Sequence, residues 1–106
     1  MVYGFNEDKS KANLTYPLGG YVYYNVPVCK RNTNSNEYAV FIPINTQLYN
    51  NITVRNLSIY INGDLYTISA DKLTIGEQIN GIHISFTNTS GYDIAGYLAS
   101  VLCIHS

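Results

Sequence analysis

The chain has 106 residues, enough for one small domain with its own core and too few for a second module. Only 12% of the residues are charged, with six Lys or Arg and a net charge of −1, which excludes the basic footprint that a nucleic-acid backbone requires. No apolar run reaches the roughly 18 residues that span a bilayer, and the first residues have neither a basic n-region nor an apolar h-region, so neither a membrane partner nor a secretory signal is expected.

Leu, Ile, Val and Phe number 30 of 106 residues, above the roughly 20% below which disorder becomes the default. Ile, Val, Thr and Tyr total 38, against 20 for the helix formers Ala, Leu, Glu and Lys. Branched and aromatic side chains fit a pleated sheet, where stiffness at χ1 costs little. The expectation is an all-β domain.

Residues 1–19 hold four of the thirteen charged residues (Glu7, Asp8, Lys9, Lys11), Pro17 and the first glycine of the Gly19-Gly20 pair, with no sustained period of 2 or 3.6. They read as an irregular N-terminal arm preceding a domain over 20–106. From Gly20 the texture changes. "YVYYNVPVC" (21–29) is a β-type run in which Pro27 marks an edge or a strand end. "KRNTNSNE" (30–37) is an exposed polar loop. "YAVFIPI" (38–44) returns to strand, with Val40, Ile42 and Ile44 alternating onto one face. "NTQLYNN" (45–51) is the next loop.

Two hairpin signals follow. Asn62-Gly63 lies between alternating runs and favours a type I′ turn, because both central residues need positive φ. A two-residue turn there puts Ile61 opposite Asp64, Tyr60 opposite Leu65, Ile59 opposite Tyr66 and Leu57 opposite Ile68, and gathers Leu57, Ile59, Ile61, Tyr66 and Ile68 on one face. The same rule at Asn80-Gly81 pairs Ile79 with Ile82, Gln78 with His83 and Ile75 with Phe86. "NTSGYD" (88–93) is a turn, and "IAGYLASVLCIHS" (94–106) reads as a long strand buried on both faces. The tally is about seven strands joined by short polar turns, the spacing of an antiparallel β-sandwich, jelly-roll-like arrangements included.

Cys29 and Cys103 each sit in an apolar stretch and read as two buried free thiols. No Cys or His stands at ligand spacing beside them, so no metal site is expected. His83 falls on the polar face of a predicted hairpin, His105 is the penultimate residue, and no G-x-S-x-G elbow is present. The carboxylates are scattered. No catalytic residue and no cofactor is expected.

Eleven Tyr, thirteen Asn and no Trp remain to be explained. Tyr supplies rigid amphipathic contact area and Asn adaptable hydrogen bonding, the composition of binding loops. Candidate recognition residues are Asn32, Asn34 and Asn36 in one loop, Tyr49 and Asn50 in the next, and Tyr92 in the 88–93 turn.

"YGFNEDKSK" (3–11) resembles the start of a class of small proteins encoded in the structural gene clusters of phages and prophages of Gram-positive bacteria. The later segments "YAVFIPI", "ITVRNLSIYI", "LYTISADKLTI" and "GIHISFT" are similar in texture to the distal sandwich domains of such tail or fibre proteins. Many members carry a helical stalk after the leader, whereas here Gly19-Gly20 leads straight into strand. The resemblance implies a non-enzymatic virion protein, tail- or fibre-associated or a decoration protein, assembled in the host cytoplasm as a homotrimer. It further implies that the arm docks on a neighbouring structural protein, with Tyr3 and Phe5 as anchors and Asn6, Lys9 and Lys11 in the tether, while the sandwich meets a host-surface glycan or protein. The alternative is a small carbohydrate-binding β-sandwich module.

Overall fold

Branched and aromatic residues alternate with polar ones along most of the chain, and each such run forms a strand. A computed structural model describes residues 20–44, 52–78 and 80–105. The strands are β1 (Tyr21–Pro27), β2 (Cys29–Lys30), β3 (Glu37–Ile42), β4 (Ile52–Ile61), β5 (Asp64–Ser69), β6 (Thr74–Gln78), β7 (Gly81–Thr87) and β8 (Leu98–His105), with one 3-10 turn at Ala70–Lys72. Among the described residues they form two antiparallel sheets of four, in the orders β1-β8-β4-β5 and β2-β3-β7-β6. The fold is an antiparallel β-sandwich. Its strands divide four and four with the first beside the last, features shared with jelly rolls, while β3 lies between β2 and β7. The expected arm falls outside the described residues.

The core lies between the sheets. Val40, Ile42, Leu57, Ile59, Ile84, Val101 and Cys103 are at most 1% exposed, and each buried aliphatic side chain of this kind stabilises the fold by about 1.5–3 kcal/mol. Cys103 belongs to this core and Cys29 packs with Ala39 in a small separate cluster; both are buried and neither is in a disulfide, as expected. Burial pushes the Cys103 thiol up to about 12, so it stays protonated and serves as a small hydrophobe.

Among the described residues the strands number eight rather than the expected seven, because the run 21–29 is cut in two. Pro27 has no N–H to donate and closes β1 at the sheet edge. Val28 then donates its N–H to the Tyr97 carbonyl (2.8 Å) and accepts from Gly96 (2.7 Å), and the chain passes from one sheet to the other to begin β2.

The first hairpin has the expected register at every pair from Leu57–Ile68 to Ile61–Asp64. Asn62 (φ 51°) and Gly63 (φ 88°) take the left-handed conformations that the turn demands. The second hairpin is two residues out of the expected register: Gln78 faces Gly81, Gly76 faces His83 and Ile75 faces Ile84. Gly81 is therefore a strand residue, and it is not among the glycines with positive φ. Its missing side chain serves a close approach instead, since a Cβ there would lie 2.3 Å from the Ile42 carbonyl oxygen and 2.6 Å from Phe41 Cζ. A shift of two keeps side-chain parity, so Ile82, Ile84 and Phe86 still face the core. Ile79 lies outside the described residues.

The last strand also differs. It starts at Leu98, after a loop in which Ile94 is fully buried as a plug. Ala99, Val101 and Cys103 face the core, whereas Leu98 is 65% exposed and Ser100, Leu102 and Ile104 are half-buried. The strand is buried on one face rather than two. In β4 the register slips between Val54 and Asn56, so that Arg55 is the extra residue of a β-bulge and the inward phase changes from Val54 to Leu57.

Candidate functional site

The outer face of β1-β8-β4-β5 carries the candidate site, and strand alternation puts it there. In "YVYYNV" Tyr24 and Val26 turn inward to the core, which leaves Tyr21, Tyr23 and Asn25 on the outside. Asn25 pairs with Ser100 of β8, Ser100 with Ser58 of β4, and Ser58 with Thr67 of β5. These four form a polar rung across the whole sheet. The Ser100 hydroxyl donates to Asn25 Oδ1 (2.7 Å), and the Ser58 and Thr67 hydroxyls share a hydrogen bond of 3.1 Å.

Apolar and aromatic groups lie on both sides of the rung. On one side are Leu98 and the cross-strand pair Tyr60–Leu65; on the other are the pairs Tyr23–Leu102 and Tyr21–Ile104. Tyr21, Tyr23 and Tyr60 are 70%, 63% and 69% exposed. Two shallow depressions, one over the rung and one between Tyr21, Arg55 and Leu102, meet at Tyr23. Among the described residues lining them Arg55 alone is charged. Such a surface offers ring faces and neutral hydrogen-bonding groups, and no paired acid and base.

The expected recognition loops are placed differently from one another. Asn32 and Asn34 are exposed in the 31–36 loop, where the Asn32 Oδ1 accepts the Asn34 N–H (3.1 Å) and so serves the turn itself. Asn36 is exposed too, and its carbonyl accepts the Asn88 N–H (2.8 Å), which ties this loop to the 88–93 turn. Tyr92 is 52% exposed beside it, with its carbonyl held by Asn88 Nδ2 (2.5 Å). Tyr49, Asn50, Tyr3, Phe5, Asn6, Lys9 and Lys11 lie outside the described residues.

Asp93 ends this loop cluster. Its carboxylate accepts the Ala95 N–H (3.1 Å) and the Tyr38 hydroxyl (2.9 Å), and Lys30 Nζ stands 3.7 Å away. The backbone bond first, then the Tyr38 bond and the lysine, hold its pKa below the ordinary aspartate value. Tyr38 is buried and stacks near Phe86, so the cluster pins the loop to the core. His83 is half-buried on the outer face of the other sheet, across from Phe41 on β3 and Gly76 on β6. Burial lowers its pKa and the Glu37 charge partly restores it. Among the described residues no group of three or more His, Cys, Asp or Glu is placed to hold a metal ion.

Loop composition gives no sign of Tyr21, Tyr23 and Tyr60, which lie in strands. The signal for Tyr60 was present in the first hairpin, whose register already puts Tyr60 and Leu65 together on the face away from the core. Comparison with known protein families, with curated proteins and with solved structures finds no match to this chain.

Proposed function

We propose that this chain acts by binding, as the outward-facing sandwich of a phage or prophage virion structural protein, and that the outer face of β1-β8-β4-β5 is its recognition surface. The observation that supports this reading is the exposure of Tyr21, Tyr23 and Tyr60 on one sheet face around a neutral polar rung. Exposed aromatic clusters of this kind mark interaction sites, because a solitary domain gains nothing by leaving large apolar rings in water. In this reading residues 1–19 attach a homotrimer to a neighbouring virion protein, and the sandwich meets the host surface as a tail, fibre or decoration component. The second reading, a small carbohydrate-binding module, draws on the same face.

Co-sedimentation of the full chain with purified Gram-positive cell walls tests the recognition surface. Tyr23→Ala/Tyr60→Ala is expected to reduce the bound fraction severalfold with an unchanged thermal midpoint, since both side chains are exposed. Undiminished binding by that variant would overturn the assignment of the surface. Light scattering on the full chain tests the trimer, and a monomer overturns it.

A further inference from the structure

The order of groups across the β1-β8-β4-β5 face says what kind of ligand it fits. A protein interface places its apolar, fully desolvated residues at the centre and its polar groups at the rim. Here the order is inverted. The rung of Asn25, Ser100, Ser58 and Thr67 runs through the face, and the rings of Tyr23 and Tyr60 flank it on opposite sides.

We infer that this rung and its flanking tyrosines take a short neutral oligosaccharide. A sugar ring presents apolar C–H faces ringed by hydroxyls, so one ligand meets both kinds of group at once. The tyrosines stack on ring faces, and the rung supplies donors and acceptors in the plane between them. Because Ser100 donates to Asn25 Oδ1, the Asn25 Nδ2 group is left to donate to a ligand, and the Ser58 and Thr67 hydroxyls each keep an acceptor lone pair beyond their shared bond. Among the described residues, the depression over the rung is lined by no charged one, and Arg55 is the single charge lining the depression beside it, which selects against acidic glycans that need several cations. At about 4.8 Å between strands and about 3.3 Å per residue, the face measures roughly 14 Å across and 20 Å along, room for about two or three sugar rings.

This inference rests on the recognition surface proposed above and adds its ligand. The test is a titration of the 15N-labelled full chain with cellotriose, maltotriose, mannotriose and chitotriose to about 10 mM, the range of a shallow site, with trigalacturonic acid as the acidic comparator. The expected result is that at least one neutral trisaccharide shifts the amides of Tyr23, Asn25, Ser58, Tyr60 and Ser100 and that the acid does not. Tyr60→Ala then weakens binding about tenfold, the worth of one stacked ring, and Tyr60→Phe preserves it. Shifts elsewhere, or none with any neutral probe, overturn the inference. So does line broadening at these amides on raising the concentration of the chain alone, which identifies a second copy as the occupant. If the tyrosine variants lose cell-wall binding while no trisaccharide binds, the recognition surface stands and the ligand is a protein; if they keep it, the surface itself falls.

Discussion

Two Asn-Gly pairs, at 62–63 and 80–81, sit between similar branched runs and end in different structures. At Asn62-Gly63 both residues have positive φ and the turn is the two-residue loop that the dipeptide encodes. At Asn80-Gly81 the glycine lies in β7, facing Gln78, and its bare Cα lets the Ile42 backbone and the Phe41 ring come close. Glycine has two separate uses, conformational freedom and absence of bulk. Local pattern cannot tell which use a fold will draw on. The neighbour that decides, β3, is some forty residues away in sequence.

The largest expected effect separates these uses directly. Gly81→Ala should cost about 3 kcal/mol in urea unfolding, because overpacking against a backbone oxygen has no cheap relaxation. Adding Gly81→Ala to a Phe41→Ala background should still destabilise, since the Ile42 carbonyl stays in place; equal stability of the double and the Phe41→Ala variant would show that the ring alone sets the constraint. Gly63→Ala meets nothing within 4 Å and carries only the strain of φ 88°, so a loss of about 1 kcal/mol is expected. Equal losses at 63 and 81 would erase the distinction.

The smallest effect concerns pH. The outer face of the first hairpin carries Ser58, Tyr60, Leu65 and Thr67, whereas the second carries His83. With its folded pKa lowered from 6.5 by burial, the imidazole binds protons more readily in the unfolded chain. Its contribution is fully present above pH 6.5 and is lost as pH falls below that value. His83→Gln should flatten this part of the stability profile in thermal melts at a series of pH values. An unchanged slope would assign the titration to other groups.

The candidate site was legible in pieces. Alternation alone places Tyr21 and Tyr23 opposite to Tyr24 and Val26, and the first hairpin places Tyr60 with Leu65. What was not legible is that β8 lies between β1 and β4 and so joins these pieces into one face. The expectation of contact through Asn32 rests on composition; the side chain is exposed, and its Oδ1 accepts the Asn34 N–H within the loop. The bulge at Arg55 has a sequence sign, the one-residue slip from Ile52 and Val54 to Leu57, Ile59 and Ile61, which lies before the 57–68 hairpin.

Local chemistry was sufficient for the all-β class, the sandwich, the burial of two cysteines outside any disulfide and the register of the first hairpin to the residue. Each of these depends on side-chain shape, alternation, or groups a few positions apart. Tertiary structure decided the split of 21–29 at Pro27 and Val28, the register of β6 against β7, the single buried face of β8, and the meeting of three tyrosines around one polar rung. Those features depend on which strands become neighbours across long loops, and that choice is made by packing two sheets over a shared core rather than by any short stretch of chain.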